Sequence, residues 1–323
     1  MKNHLRRDLV IIAMGVFLPL LAHAQVPPRF YWKSLAGGNA VPVIYQSISG
    51  NANPLDPAYL VSADAEIDAE VMIAGYAKLL PVFGRTATVA VLAPMGRLSS
   101  SANVGVLSAS ESSRGFGDPT LELGINLIGP GAIMNIPDLL RYEPQFSLDL
   151  VTDFMIPIGE YDDDQALNLG QNRWYGRVGT PMIWQRGPWV PGQRTTIEIL
   201  PWVYWYGNNS DYLGETLSTD PMFQLEAHFT RDLTASLWGS LDASWMTGGK
   251  STVAGEKGDS IDNLGVGFTL GYQINDNLSM TLGYMSTISD SDPSDLQLDV
   301  FRLSLNYGWH KIVEGQKRLH SNQ

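Results

Sequence analysis

Over residues 301–309 the odd positions Phe301, Leu303, Leu305, Tyr307 and Trp309 are apolar, and the even positions Arg302, Ser304, Asn306 and Gly308 are polar or small. Successive side chains of a strand point to opposite faces, so this period of two predicts a ribbon with one greasy and one wet side. The pattern recurs over 263–273, 223–230, 121–127 and 146–156, and in Ala65, Ile67, Ala69, Val71 and Ile73 set against Asp64, Glu66, Asp68 and Glu70. About twelve segments carry it, near 41–49, 64–79, 84–94, 117–129, 144–157, 170–186, 194–206, 221–231, 232–247, 262–274, 276–288 and 296–309. Most reach the roughly 9–11 residues that cross a bilayer at a tilt, and single-chain bacterial outer-membrane barrels use an even number of strands. The expected fold is all-β: a transmembrane antiparallel up-and-down β-barrel of about 12 strands.

The connections sort by length. Short links at 80–84, 231–232 and 275–276 alternate with long polar ones near 50–63, 95–116, 158–169, 207–220 and 248–261. Transmembrane barrels have short periplasmic turns and longer outer loops, which places both termini in the periplasm. Two inner links, near 130–143 and 187–193, are longer than this scheme expects. Trp205, Trp245 and Tyr284 fall near expected outer strand ends, and Trp184, Tyr272, Tyr307 and Trp309 near inner ends. Amphipathic rings at both ends make the two interfacial girdles of a membrane barrel. A secreted sandwich has no reason to sort its loops in this way.

Upstream, Lys2, Arg6 and Arg7 precede an apolar run over 9–21, then Ala22, His23 and Ala24. The run is too short for a spanning helix of roughly 20 residues, and its flanks are those of a cleaved signal peptide. The expected organisation is a leader over 1–24, a periplasmic segment over 25–40, the barrel over 41–309 and a periplasmic tail over 310–323, in the cell outer membrane. With 33 acidic against 21 basic residues the chain is a poor binder of polyanions, and nucleic acid is set aside as a partner. The absence of cysteine removes disulfides, thiolate zinc sites and cysteine nucleophiles together. The expected partners are outer-membrane lipid and lipopolysaccharide, a small-molecule solute, and the barrel-assembly machinery during insertion.

If the greasy faces meet lipid, the opposite faces line a lumen. That wall would hold Asp64, Glu66, Asp68, Glu70, Glu122, Asp149, Asp153, Glu198, Glu226 and Asp242, together with Arg173, Arg177, Arg302 and His228. Ionised groups buried in a dry core cost several kcal/mol each unless paired, and here carboxylates outnumber bases about three to one. An acidic, wetted interior favouring cations is the expectation. A barrel of about twelve strands is narrower than an open porin of 16–18 strands, so arginine bridges across it would also make a plug. The polar residues Asn168, Gln171 and Asn172 are candidates for a constriction where an outer loop folds into the mouth.

Three stretches, 56–96, GFGDPTLELGINLIG over 115–129, and PIGEYD with NLGQNRW over 157–174, resemble an outer-membrane transporter family labelled for the meta-pathway (MetA-pathway) of phenol degradation. The similarity extends from about residue 35 to 310, and implies an outer-membrane barrel linked to uptake of aromatic or hydrophobic compounds. Read for themselves, Gly115, Gly117 and Asp118 make a turn, and Pro119 opens a strand where no ladder donor is needed.

Other chemistry is weak. The acidic run 160–164 lacks the glycine and distal glutamate of a Ca²⁺ loop and reads as a solvated loop, so no metal or cofactor is expected. A hydrolase would need a histidine beside a hydroxyl nucleophile. After the leader, His310 and His320 lie beyond the last strand, and His228 reads as a polar wall residue. No catalytic residue is assigned. The expected function is passage of small, aromatic or hydrophobic compounds through an acidic lumen. A plugged structural or binding barrel working through its outer loops is the alternative, and a lipid hydrolase centred on His228 ranks below both.

Overall fold

The computed structural model describes residues 26–56, 65–104, 107–143, 145–290 and 296–321. The expected leader 1–24 and Asp64 lie outside the described residues. β1 (Asn39–Gly50) is followed by a long hairpin of β2 (Ala65–Val82) and β3 (Arg85–Val104), whose turn residues Phe83 and Gly84 both have positive φ, 49° and 73°. That is the backbone of a tight hairpin whose twist matches its strands. β4 (Leu107–Phe116) and β5 (Thr120–Ile128) share one wall position, β4 pairing the far half of β3 and β5 its near half. β6 (Phe146–Met155) precedes a second divided position, β7 (Tyr175–Gly179) and β8 (Met182–Arg186), broken at Thr180 and Pro181. Pro181 has no N–H for a ladder, which is the local reason for the break.

β9 (Thr195–Tyr206), β10 (Asn209–Tyr212), β11 (Glu215–Thr219), β12 (Met222–Asp232), β13 (Leu237–Gly248), β14 (Ser251–Val253), β15 (Glu256–Lys257), β16 (Ile261–Gln273), β17 (Leu278–Asp290) and β18 (Leu298–Trp309) complete the strands. β18 pairs with β1 along its whole length, from Asn39 opposite Trp309 to Gly50 opposite Leu298. With the two divided positions counted once each, the wall is a closed antiparallel barrel of 12 strands, as the alternation predicts. Closure removes the unpaired edges that make open sheets stick to one another.

Departures from expectation lie at the ends. The stretch 95–116, expected as a loop, is mostly strand: β3 and β4 run on as a hairpin beyond the barrel rim. The loops at 207–220 and 248–261 carry β10, β11, β14 and β15 as a separate four-stranded sheet. At the opposite end a short helix α1 (Ile136–Arg141), capped by the Asn135 side chain, lies in the long link 130–143. The tail expected over 310–323 holds helix α2 (Lys311–Ser321). Val313 of α2 packs with Leu35, Ile133, Ile136 and Leu139 into a small apolar cap beneath the barrel.

Outward positions form a continuous apolar band. Val43, Tyr45, Met72, Val91, Leu241, Phe268, Leu305 and Tyr307 are all exposed on it. Only lipid covers such a surface without cost.

The candidate functional site is the barrel lumen

Inside the wall, cross-strand register assembles a belt of buried charge. Glu122 stands opposite Asp153, Asp153 opposite Arg177, and His228 between Glu198 and Asp242. Arg177 Nε donates to Asp153 Oδ2 at 2.6 Å, and its Nη1 donates to the Tyr204 hydroxyl at 3.1 Å and lies 3.9 Å from Glu226 Oε1. The guanidinium rests 4.0 Å from the ring centre of Trp202, which takes its flat face. His228 Nδ1 is 2.8 Å from Asp242 Oδ1, and Asp242 also accepts from Ser240 and Thr269 at 2.5 and 2.7 Å. Glu226 Oε1, Arg177 Nη2 and His228 Nε2 have no hydrogen-bond partner among the described residues. Buried polar atoms in this state are the positions at which protein interiors hold ordered water.

Into this belt from the terminal end runs a strap, residues 26–36. Within the segment expected as periplasmic over 25–40, residues 26–36 run along the inner face of the wall, where Val26, Phe30, Tyr31 and Trp32 are all buried. Its polar groups find the wall carboxylates. Val26 N–H donates to Glu226 Oε2 at 2.5 Å, while the Arg29 N–H and the Trp32 indole N–H both donate to Glu198, at 3.0 Å each. The Arg29 guanidinium pairs with Asp232 at 2.6 Å and lies between the Trp32 and Trp238 rings at 4.3 and 4.5 Å. Lys33 pairs with Asp149. Burial of those acids is tolerable because the strap brings the counter-charges with it.

From the other end the link between β6 and β7 folds inward. Asp118 is buried where β4 breaks into β5, and its two oxygens accept the N–H groups of Gly159 at 2.9 Å and Gln171 at 2.8 Å. The GFGDP, PIGEYD and NLGQNRW motifs therefore meet at one carboxylate. Their glycines stack: a Cβ on Gly159 would lie 2.6 Å from the Gly117 carbonyl carbon, and one on Gly170 would lie 2.7 Å from that of Gly159. Backbones approach this closely only where there is no side chain. The link carries Leu167 and Leu169 into the lumen, against Ile44, Ile48, Ile73, Leu92, Leu98 and Val300. Outside the barrel wall, burial raises the hydroxyl pKa of Tyr161 and Tyr212, so both stay protonated and Tyr161 donates to Asp211 O at 2.8 Å.

The expected lumen residues divide. Glu122, Asp149, Asp153, Arg177, Glu198, Glu226, His228, Asp242 and Arg302 are buried on inward faces of the wall. Arg173 is buried in the link, paired with Asp56 at 3.1 Å. Glu66, Asp68 and Glu70 point the other way, and β2 instead turns Ile67, Ala69, Val71 and Ile73 inward. The reason is that this part of β2 stands beyond the lipid band, where the outer face meets water and the polar side is the outer side. Asn168 and Gln171 are buried in the link, whereas Asn172 is exposed with φ of 50° and so does not face the lumen. The wall is thus less uniformly acidic than expected: three acids leave it, and Arg29 and Lys33 enter. The strap had one legible signal, Arg29, Phe30, Tyr31, Trp32 and Lys33 in succession, which is ring-rich for a segment bathed in water.

A closed barrel with an apolar outer band and a charged interior has the architecture of an outer-membrane β-barrel. A family model described as "Putative MetA-pathway of phenol degradation" matches residues 46–304, and the chain belongs to that family. Its fold is similar to the COG4313 outer membrane channel from Pseudomonas putida F1, with TM-score 0.68 and 21% identity over 88% of this chain and 99% of that one. The transport unit of the autotransporter AIDA-I from Escherichia coli is 9% identical over 95% of this chain and 98% of that one, with TM-score 0.48, too remote to carry an argument. No curated protein matches the chain.

Proposed function

We propose that the protein is an outer-membrane channel for small aromatic or hydrophobic solutes, with its loop end outside the cell and both termini in the periplasm, opened by displacement of the strap. One observation carries this reading: the interior has two chemistries in series. Ile44, Ile48, Ile73, Leu92, Leu98 and Val300 make an aliphatic sector beneath the loop end, and the charged belt lies below it. A general porin gains nothing from an aliphatic wall at its mouth. Once the inward link lifts Leu167 and Leu169 off this sector, an apolar solute has greasy surface to follow to the belt, where the Arg177–Trp202 stack receives a planar ring.

The test is flux into proteoliposomes of a small aromatic acid against a sugar of equal size, for the full chain and for one lacking residues 26–36. Faster entry of the aromatic, increased by the deletion, is expected. Absence of flux from both proteins would leave the binding-barrel alternative, which the dense strap contacts favour. The hydrolase reading fares worse, because no hydroxyl hydrogen-bonds His228 Nε2 among the described residues.

A further inference from the structure

On β1 to β4 the apolar outward band stops at one register level. Its last members are Tyr45, Met72, Met95 and Phe116, paired in turn across the strands. The next outward positions, two residues on, are Ser47, Glu70, Arg97 and Arg114. Two residues of strand span roughly 6.6 Å, so these side chains stand at the height of lipid headgroups.

Arg97 and Arg114 occupy directly opposed positions on β3 and β4, both exposed, the Arg97 side chain to 71%. Like charges directly opposite one another weaken a sheet, so an anion placed between the two is favoured. Glu70 bonds Arg97 at 2.9 Å and braces it, and Arg114 has no ion-pair or hydrogen-bond partner among the described residues. Both line a groove on the outer wall with hydroxyls from Ser47, Ser99 and Ser112, and Asp68 stands one step further from the band. Elsewhere on the same collar, Asp262 accepts from the Trp245 indole and Asp299 from the Tyr284 hydroxyl, both at 2.8 Å. Those sides present acid to the headgroup layer. At that level this side sets Arg97 and Arg114 against Glu70 alone, one net positive charge, so an anionic headgroup is turned toward it.

We propose that Arg97 and Arg114 form a binding site for the phosphate of a phosphorylated glycolipid in the outer leaflet, lipid A, with the acyl chains lying along the Met72, Met95 and Phe116 band below. Forked guanidinium donors suit phosphate oxygens, and the serine hydroxyls suit the sugar. The site rests on the orientation given above, with the loop end outside the cell, and is independent of conductance.

The test uses the full chain purified in detergent and titrated with bisphosphorylated lipid A, its dephosphorylated form, and inorganic phosphate, with bound lipid counted by native mass spectrometry. Arg97→Gln with Arg114→Gln is expected to weaken lipid A binding roughly tenfold or more. Arg97→Lys with Arg114→Lys retains most of it, which guards against a folding artefact, as does Arg231→Gln at the opposite rim. Equal binding by the wild type and the glutamine variant overturns the site. So does equal binding of the dephosphorylated lipid, or free phosphate binding as tightly as the lipid. Orientation is read separately: the chain has no cysteine, so Glu256→Cys, exposed on the loop-end sheet and outside the groove, is the single target for an impermeant maleimide on intact cells. Labelling supports the outer-leaflet assignment, and protection refutes it whatever the channel conducts.

Discussion

Removing the Arg29 side chain should loosen the strap without touching the wall. Its guanidinium pairs with Asp232 at 2.6 Å, donates to Thr230 Oγ1 at 3.0 Å, and lies between two indoles. A buried charge-assisted hydrogen bond contributes about 1.5–3 kcal/mol. Two cation–π contacts add about 0.5–2 kcal/mol. Asp232 keeps Arg194 at 2.8 Å and the Gly192 N–H at 2.9 Å, so Arg29→Ala does not strand a carboxylate. The net loss of strap docking is then about 2–5 kcal/mol, a shift of roughly thirtyfold to several thousandfold toward the undocked state. The remaining anchors, Val26 on Glu226, Trp32 on Glu198 and Lys33 on Asp149, should still re-dock it transiently. Single-channel recording in KCl is expected to show sparse brief openings for the wild type, longer ones for Arg29→Ala, and a sustained larger step for the chain lacking residues 26–36. Unchanged conductance in the deletion would refute the reasoning, since the strap would then not be the barrier.

Three further outcomes follow from other parts of the lumen and wall. Asp118→Ala leaves the Gly159 and Gln171 N–H groups without their acceptor, at about 1–3 kcal/mol each, and should expose the acidic run 160–164 to proteolysis in a folded barrel. Gly159→Ala drives a methyl into the Gly117 backbone and should give the same cleavage with Asp118 intact; protection equal to wild type would count against the stacked-glycine latch. On the wall, Leu241 is 68% exposed within the apolar band, so Leu241→Arg should cost about 2–4 kcal/mol in vesicle-based urea titrations, whereas Glu70→Leu beyond the band should change stability by about 0.5 kcal/mol or less. Equal effects at the two positions would mean that the lipid boundary is drawn in the wrong place.

Much of this molecule is written in its period of two. A strand cannot put adjacent side chains on one face, so the alternation in β5, β6, β9, β12, β13 and β18 sets Glu122, Asp153, Glu198, Glu226, His228, Asp242 and Arg302 opposite the apolar band. The same alternation misplaced Glu66, Asp68 and Glu70, because period fixes that two faces differ and not which solvent each one meets. Above Met72 the outer medium changes from lipid to water, and only the register of β2 against β1 and β3 locates that change. The strap and the inward link were out of reach for a related reason. Their contacts join residues about 40 to 200 positions apart, from Asp118 with Gly159 to Val26 with Glu226, and local pattern holds no record of such pairings. Sequence alone therefore determined a closed, two-faced barrel, while tertiary structure decided what fills it, because the charges that neutralise the wall arrive on segments with no periodicity of their own.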